Sequence, residues 1–313
     1  MKLLIIGYGS IAKKHVQVLR KIIPDVEIIA LRSTSKSVEN SNIKSIYGWT
    51  DVDKDIDFIL ISNPTSEHYS AIVEAINFNV PLFIEKPPLA SLKGANKLAE
   101  HIKAKRIISY TAFNLRFHPV IVWLKENLES YRIREVRVYC GSYLPDWRPG
   151  TDYREIYSAK KKLGGGVHLD LLHELDYVNY LFGLPLASSS FLSQKSDLEI
   201  DSYDCAHYWL EYKRFNVSVL LNYYRRDIKR NLEIVCENET IIADLIDGKI
   251  TSSSGEILFE TAPDLFKTYE AQMKYFINCI SKGEKPINSF EEAMQTLELC
   301  LENKYVNSDK HER

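Results

Sequence analysis

The chain has 313 residues and a formal net charge of −2, from 40 basic and 42 acidic side chains. Hydrophobic residues make up 45% and charged residues 26%, the balance of a soluble globular protein with material for about two domains. These values argue against a disordered chain, a collagen, a disulfide scaffold and a polytopic membrane protein, and no basic excess points to nucleic acid or a membrane surface.

The N-terminal apolar run, Met1 to Ile6, is too short for a signal peptide or a span. The cysteines Cys140, Cys205, Cys236, Cys279 and Cys300 are odd in number and form no C-x-x-C pair. That argues against a zinc site or a disulfide framework and for a reducing compartment. The expectation is a cytoplasmic protein with no metal site.

The first third alternates strand and helix. Strands are expected at Leu3 to Ile6, Val26 to Leu31, Ile56 to Ser62, Val80 to Ile84 and Arg106 to Ala112. Helices are expected at Ile11 to Ile23, about Ser66 to Phe78, and Ser91 to Lys103. Fully apolar strands between helices imply a parallel sheet covered on both faces. After residue 118 the pattern changes. Strands are expected at Arg134 to Ser142, Tyr203 to Tyr212, Phe215 to Tyr224, Leu232 to Glu237 and Thr240 to Leu245, several joined by tight turns. Such spacing gives an antiparallel sheet. Helices are expected at 119–129, 166–182, 265–282 and 289–305. The reading is an α/β protein: a doubly wound parallel domain over 1–118 and an α+β domain with a mainly antiparallel open sheet over 119–313.

Gly7-Tyr8-Gly9-Ser10-Ile11-Ala12 follows the first strand and opens the first helix. Glycines permit the tight turn and the close approach of a pyrophosphate, and a small Ala12 lets helix pack on strand. In this strand–turn–helix context the motif reads as a dinucleotide site of the Rossmann type, with Gly7, Tyr8, Gly9, Ser10 and Ile11 against the cofactor. The second strand ends Leu31-Arg32-Ser33-Thr34-Ser35-Lys36. An NAD site usually carries an acid here for the ribose 2′-hydroxyl. Arg32, Ser33 and Lys36 suit a 2′-phosphate instead, so NADP(H) is favoured over NAD(H).

Further motifs fall in order. Asp57 to His68 contains Asn63-Pro64-Thr65; Glu85-Lys86-Pro87 follows the fourth strand; Asn114-Leu115-Arg116-Phe117-His118-Pro119 marks the junction. Gly164-Gly165-Gly166 leads into Asp170-Leu171-Leu172-His173-Glu174-Leu175-Asp176, and Tyr269-Glu270 and Gly283-Glu284-Lys285-Pro286 lie near the end. This ordered set resembles the Gfo/Idh/MocA oxidoreductases over essentially the whole chain. The resemblance implies hydride transfer between a nicotinamide and a sugar, cyclitol or nucleotide-linked sugar. It also implies a homo-oligomer, dimer or tetramer, formed through the open sheet.

Lys86 stands where ligands meet parallel sheets and can stabilise charge on a substrate oxygen. The resemblance makes it the catalytic lysine, with Glu85 orienting it or the cofactor. Asn63, Pro64 and His68 fall beside the nicotinamide side, although His68 can equally be a helix-start residue. His173 suits proton exchange near neutral pH, and Asp170, three residues before it on an expected helix, can orient it. The family pattern places its aspartate where Leu169 stands, which leaves His168 as an alternative partner. Glu174 and Asp176 can be read as outward, solvated charges, and His15 as a packing residue. Arg116, Arg148, Tyr153 and Arg154 are candidate substrate ligands. Two further readings stay open: a non-catalytic NADP(H)-binding regulator, and a redox-neutral enzyme with a tightly held cofactor.

Overall fold

The computed structural model describes residues 1–33 and 43–302. They fall into two compact units, one of residues 1–114 with 265–297 and one of 115–264 with the chain from 298.

In the first unit β1 (Lys2–Ile6), α1 (Ser10–Ile22), β2 (Glu27–Leu31), β3 (Lys44–Ile46), β4 (Phe58–Ile61), α2 (His68–Ala75), β5 (Leu82–Ile84), α3 (Ala95–Ala104) and β6 (Ser109–Thr111) follow one another. The sheet order is β3-β2-β1-β4-β5-β6 and every pair is parallel. Parallel strands need cover on both faces, so their sequences carry no polar alternation. Accordingly Leu3, Leu4 and Ile5 and all of Phe58–Ile61 are inaccessible to solvent. The strand order reverses at β1, which lies between β2 and β4. Ile6 sits beside Leu31 and Ile61, and Ile61 beside Ile84. Gly7, Arg32, Ser62 and Glu85 therefore leave the sheet at one level, at the end where such sheets bind ligands. The edge strand β3 is absent from the sequence expectation, because its only buried residue is Ile46.

The second unit contains α4 (Pro119–Asn127), β7 (Ile133–Gly141), α5 (Val167–Asp170), α6 (His173–Phe182), β8 (Ala187–Ser193), β9 (Cys205–Glu211), β10 (Asn216–Asn222), β11 (Lys229–Cys236), β12 (Thr240–Asp244), β13 (Lys249–Ser252) and β14 (Ile257–Glu260). The sheet runs β14-β13-β12-β11-β7-β10-β9-β8. Only β7 and β10 pair in parallel among its described strands. Here residues alternate: Ala206, Tyr208 and Leu210 are buried while His207, Trp209 and Glu211 are exposed. The helix expected over 166–182 is broken at Leu171–Leu172 into α5 and α6. Gly165 explains the glycine run before it: a Cβ there would lie 2.2 Å from the Tyr157 carbonyl oxygen.

The compact units divide the C-terminal part of the chain differently from the expected two domains. Of α7 (Leu265–Lys282) and α8 (Phe290–Leu301), all residues up to 297 belong to the first unit. Phe276 of α7 lies edge-on to Phe58 and Phe83, each at 5.3 Å between ring centres. Asn288 and Thr111 exchange backbone and side-chain hydrogen bonds, covering the β6 edge. Among the described residues no helix is long and apolar enough to cross a membrane, and no group of three His, Cys, Asp or Glu is placed to hold a metal ion.

Candidate active site

The turn after β1 is built around two glycines with different jobs. Gly7 has φ +80°, and a Cβ on it would stand 2.6 Å from the Asn63 Cα, a backbone atom that cannot rotate away. Ser62 Oγ donates to the carbonyls of Ile6 and Gly7, both at 3.2 Å, and locks the turn against the end of β4. Gly9 caps α1 with no side-chain hydrogen bond, and a Cβ on it would meet nothing within 4 Å. The first turn of α1 holds no acidic residue. The result is an open cradle facing the N–H groups and positive dipole end of a thirteen-residue helix. These residues fit a dinucleotide pyrophosphate.

Beside the cradle, the Arg32 guanidinium lies 5.6 Å over the Tyr8 ring. Its Nη1 is 3.5 Å from Ser45 Oγ. Ser33 is exposed, and Lys36 lies outside the described residues.

Lys86 is half-buried and lies two residues past the end of β5; its peptide to Pro87 is cis. The preceding Glu85 is buried, and one of its carboxylate oxygens accepts the Lys86 backbone N–H at 3.2 Å. The other is 2.5 Å from Nε2 of His15, which α1 delivers from below. His68, expected beside the cofactor, is instead buried between two loops. Its Nε2 faces the Asn63 carbonyl at 3.0 Å, and its Nδ1 faces those of Pro87 and Pro88 at 3.0 and 3.2 Å. Burial holds its pKa below the usual histidine value. Its ring thus ties the loop after β4 to the loop after β5. Asn63 and Pro64 do stand at the end of β4, level with the glycine turn.

In the second unit, Asp170 ends α5 and His173 begins α6, both buried. The break between them overturns the expectation of a single helical face. Asp170 receives the hydroxyl of Tyr157 on one oxygen and that of Tyr223, at 2.5 Å, on the other. Burial and the Asp170 charge push the Tyr223 pKa well up, so this hydroxyl stays a donor. His168 is pushed down to about 4 by burial and by Lys161, and rests against the Tyr203 ring.

Several expected ligands are committed elsewhere. Arg116 makes a bidentate pair with Asp176, at 2.9 and 2.7 Å, and lies 5.0 Å over the Tyr180 ring. Both partners are buried, so neither Arg116 as an open substrate ligand nor Asp176 as a solvated charge survives. Glu174, inaccessible to solvent, pairs with Arg230 Nε at 2.7 Å and is likewise no surface charge. Arg154 is held between Asp152 and Glu199, each at 2.8 Å. The Tyr153 hydroxyl accepts the Glu199 N–H at 3.3 Å. Arg148 is exposed. Arg154 also borders a cleft of about 400 Å³ with Ala159, Lys160, Leu163, Ile200 and Asp201. Sequence reasoning missed Tyr157, Tyr223 and Arg230 as partners. They lie 13, 53 and 56 residues from Asp170 and Glu174, and no local spacing announces them.

Comparison with known proteins accounts for both units. The model of the oxidoreductase family with an NAD-binding Rossmann fold matches residues 1–113, and the model of that family's C-terminal alpha/beta domain matches 125–303. The scyllo-inositol 2-dehydrogenase (NAD(+)) of Bacillus subtilis is 23% identical over 95% of this chain and 91% of its own. A levoglucosan dehydrogenase solved with NADH and levoglucosan superposes with a TM-score of 0.82 at 17% identity, covering 96% and 95% of the two chains. The UDP-N-acetylglucosamine 3-dehydrogenase of Acidithiobacillus ferrooxidans does so with 0.78 at 17% identity and the same coverage. At these identities the two solved structures speak for the fold alone. The family models cover both units, and the chain belongs to the Gfo/Idh/MocA family of oxidoreductases.

Proposed function

We propose that this enzyme transfers hydride between a nicotinamide cofactor, NADP(H) in preference to NAD(H), and a hydroxyl or carbonyl of a sugar, cyclitol or nucleotide-linked sugar. One observation carries the reading. The open Gly9 cradle and Lys86 leave the same end of one parallel sheet, after β1 and β5.

The backbone of Gly7 to Ile11 holds the pyrophosphate. Arg32, with no acid after β2, meets a 2′-phosphate. The cofactor, when bound, supplies or accepts the hydride. Lys86 donates to the reacting oxygen, which favours alkoxide character in one direction and polarises the carbonyl in the other. His173 exchanges the hydroxyl proton, and Asp170, fixed by Tyr157 and Tyr223, is the carboxylate available to orient it. The relatives named above act on inositol, levoglucosan and a UDP-sugar, which supports a polyhydroxylated substrate. Names carrying NAD(+) and NADH make cofactor choice the first arm of the test. Exposed Phe191 and Trp209 on the open sheet support association of like chains, which light scattering tests. Five buried free thiols support a cytoplasmic setting.

The test mixes the protein with NADP⁺ or NAD⁺ and a panel of inositols, hexoses, levoglucosan and UDP-sugars, and follows formation of reduced nicotinamide. Turnover of a panel member by wild type, lost in Lys86→Met, supports the reading. Cofactor bound but inert to the whole panel in both directions overturns it. Product formed without net reduction of the nicotinamide points to a redox-neutral cycle.

A further inference from the structure

We infer that His15 is a positioning residue for Lys86, acting through the Glu85 carboxylate. The inference rests on the assignment of Lys86 as the group that meets the reacting oxygen.

His15 is inaccessible to solvent. Its ring meets Phe83 edge-on at 5.0 Å and Tyr269 at 5.8 Å. Only Nε2 has a polar partner among the described residues: Glu85 Oε1 at 2.5 Å; Nδ1 is buried with none. A proton on Nδ1 would be a buried donor without an acceptor, so the geometry assigns the proton to Nε2 and makes His15 a donor to Glu85. Glu85 uses its second oxygen on the Lys86 N–H. A buried carboxylate with both oxygens engaged has one orientation. The chain of contacts thus runs from α1, whose first residue follows the Gly9 cradle, through His15 and Glu85 to the peptide that carries Lys86. Seventy residues separate His15 from Glu85, so this link fixes the height of Lys86 relative to the pyrophosphate turn by contact rather than by chain connectivity. The motif itself, Gly7-x-Gly9-x-x-Ala12-x-x-His15, places the histidine one helical turn beyond the small residue that packs on the sheet, on the same side.

The experiment compares wild type with His15→Phe, which keeps a ring against Phe83 and Tyr269 and removes the donor, and with His15→Gln, which returns an N–H near the Nε2 position. The first readout needs no substrate: the backbone amide resonance of Lys86 in ¹⁵N-lysine-labelled protein, assigned through Lys86→Arg. The second is NADPH affinity, and the third is kcat on the panel substrate. In His15→Phe the Lys86 resonance moves while the lysine amides other than those of neighbouring Lys13 and Lys14 hold, NADPH affinity is unchanged, and kcat falls about tenfold to a hundredfold, the scale of a small misplacement of a reacting group. His15→Gln restores the resonance and most of kcat. If His15→Phe does not fold, His15→Asn, whose amide stops short of Glu85, takes its place. An unmoved Lys86 resonance overturns the inference, as does a His15→Gln no better than the donor-less variant. Failure of the underlying assignment looks different: Lys86→Met then keeps full turnover, whatever the amide shows.

Discussion

In the first unit, the residues picked out by motif stand at the ends of β1, β4 and β5, and their surroundings leave Gly9 open. In the second unit, Arg116, Glu174, Asp176 and Arg154 are each held by another charged side chain. The contrast has a physical origin. A doubly wound parallel sheet places its ligand by backbone: strand ends at one level, a glycine turn and a helix start suffice. An open, mostly antiparallel sheet faced by helices fixes its buried charges, Arg116 with Asp176 and Glu174 with Arg230, by pairs distant in sequence, while exposed Arg154 is held at the surface by nearby Asp152 and by Glu199.

The sharpest way to break the comparison is at the two glycines. Gly7→Val puts a side chain into the Asn63 backbone at positive φ, and circular dichroism and cofactor titration should show a weakened fold and no binding. Gly9→Val should instead fold normally, because its Cβ meets nothing, and lose NADPH by occupying the cradle. Next in size, Lys86→Met should lower kcat by about 10²- to 10⁴-fold, the usual worth of a positioned acid or base, with cofactor affinity unchanged. In the second unit Arg116→Met removes the bidentate cationic partner of the buried Asp176 carboxylate. Its expected cost is about 3–5 kcal/mol of stability, read by denaturant melts, with nucleotide binding by the first unit retained.

The histidines of the second unit give a pH signature. His118 and His168 are both pushed down from 6.5 to about 4, mainly by burial. Each stays neutral in the folded chain and takes up a proton on unfolding below about 6.5. Their stabilisation is complete above that value and is lost as pH falls toward 4, by about 3 kcal/mol each at the lower end. His118 caps α4 by accepting from Val120 N. Asparagine preserves a cap, so His118→Asn should flatten the acid limb of the stability curve. The smallest effect is at Arg32: Arg32→Ala should erase a preference for NADPH of about tenfold, or about 1.4 kcal/mol.

What the sequence made legible follows the same divide. The parallel strands, the glycine turn and the level of Lys86 are encoded by short contiguous runs, and each is found where the runs place it. The edge strand β3 escaped because one buried isoleucine carries no pattern. The periodicity of 265–282 reveals a helix, but nothing in it says which sheet Phe276 will cover; contact with Phe58 and Phe83 decides that. Asp170 and His173 read as one helical face because three-residue spacing implies it, and the turn at Leu171–Leu172 broke the helix. His15 read as packing, and it does pack; its hydrogen bond to Glu85 appears only when β5 and α1 are brought together.

The most direct test of the central claim is a fluorescence titration of cofactor-free protein with NADPH and with NADH, repeated on Gly9→Val. The account predicts saturable binding with NADPH at least about tenfold tighter, abolished by the substitution. NADH binding as tightly or more tightly would contradict the 2′-phosphate assignment of Arg32, and failure of wild type to bind either nucleotide would contradict the site itself.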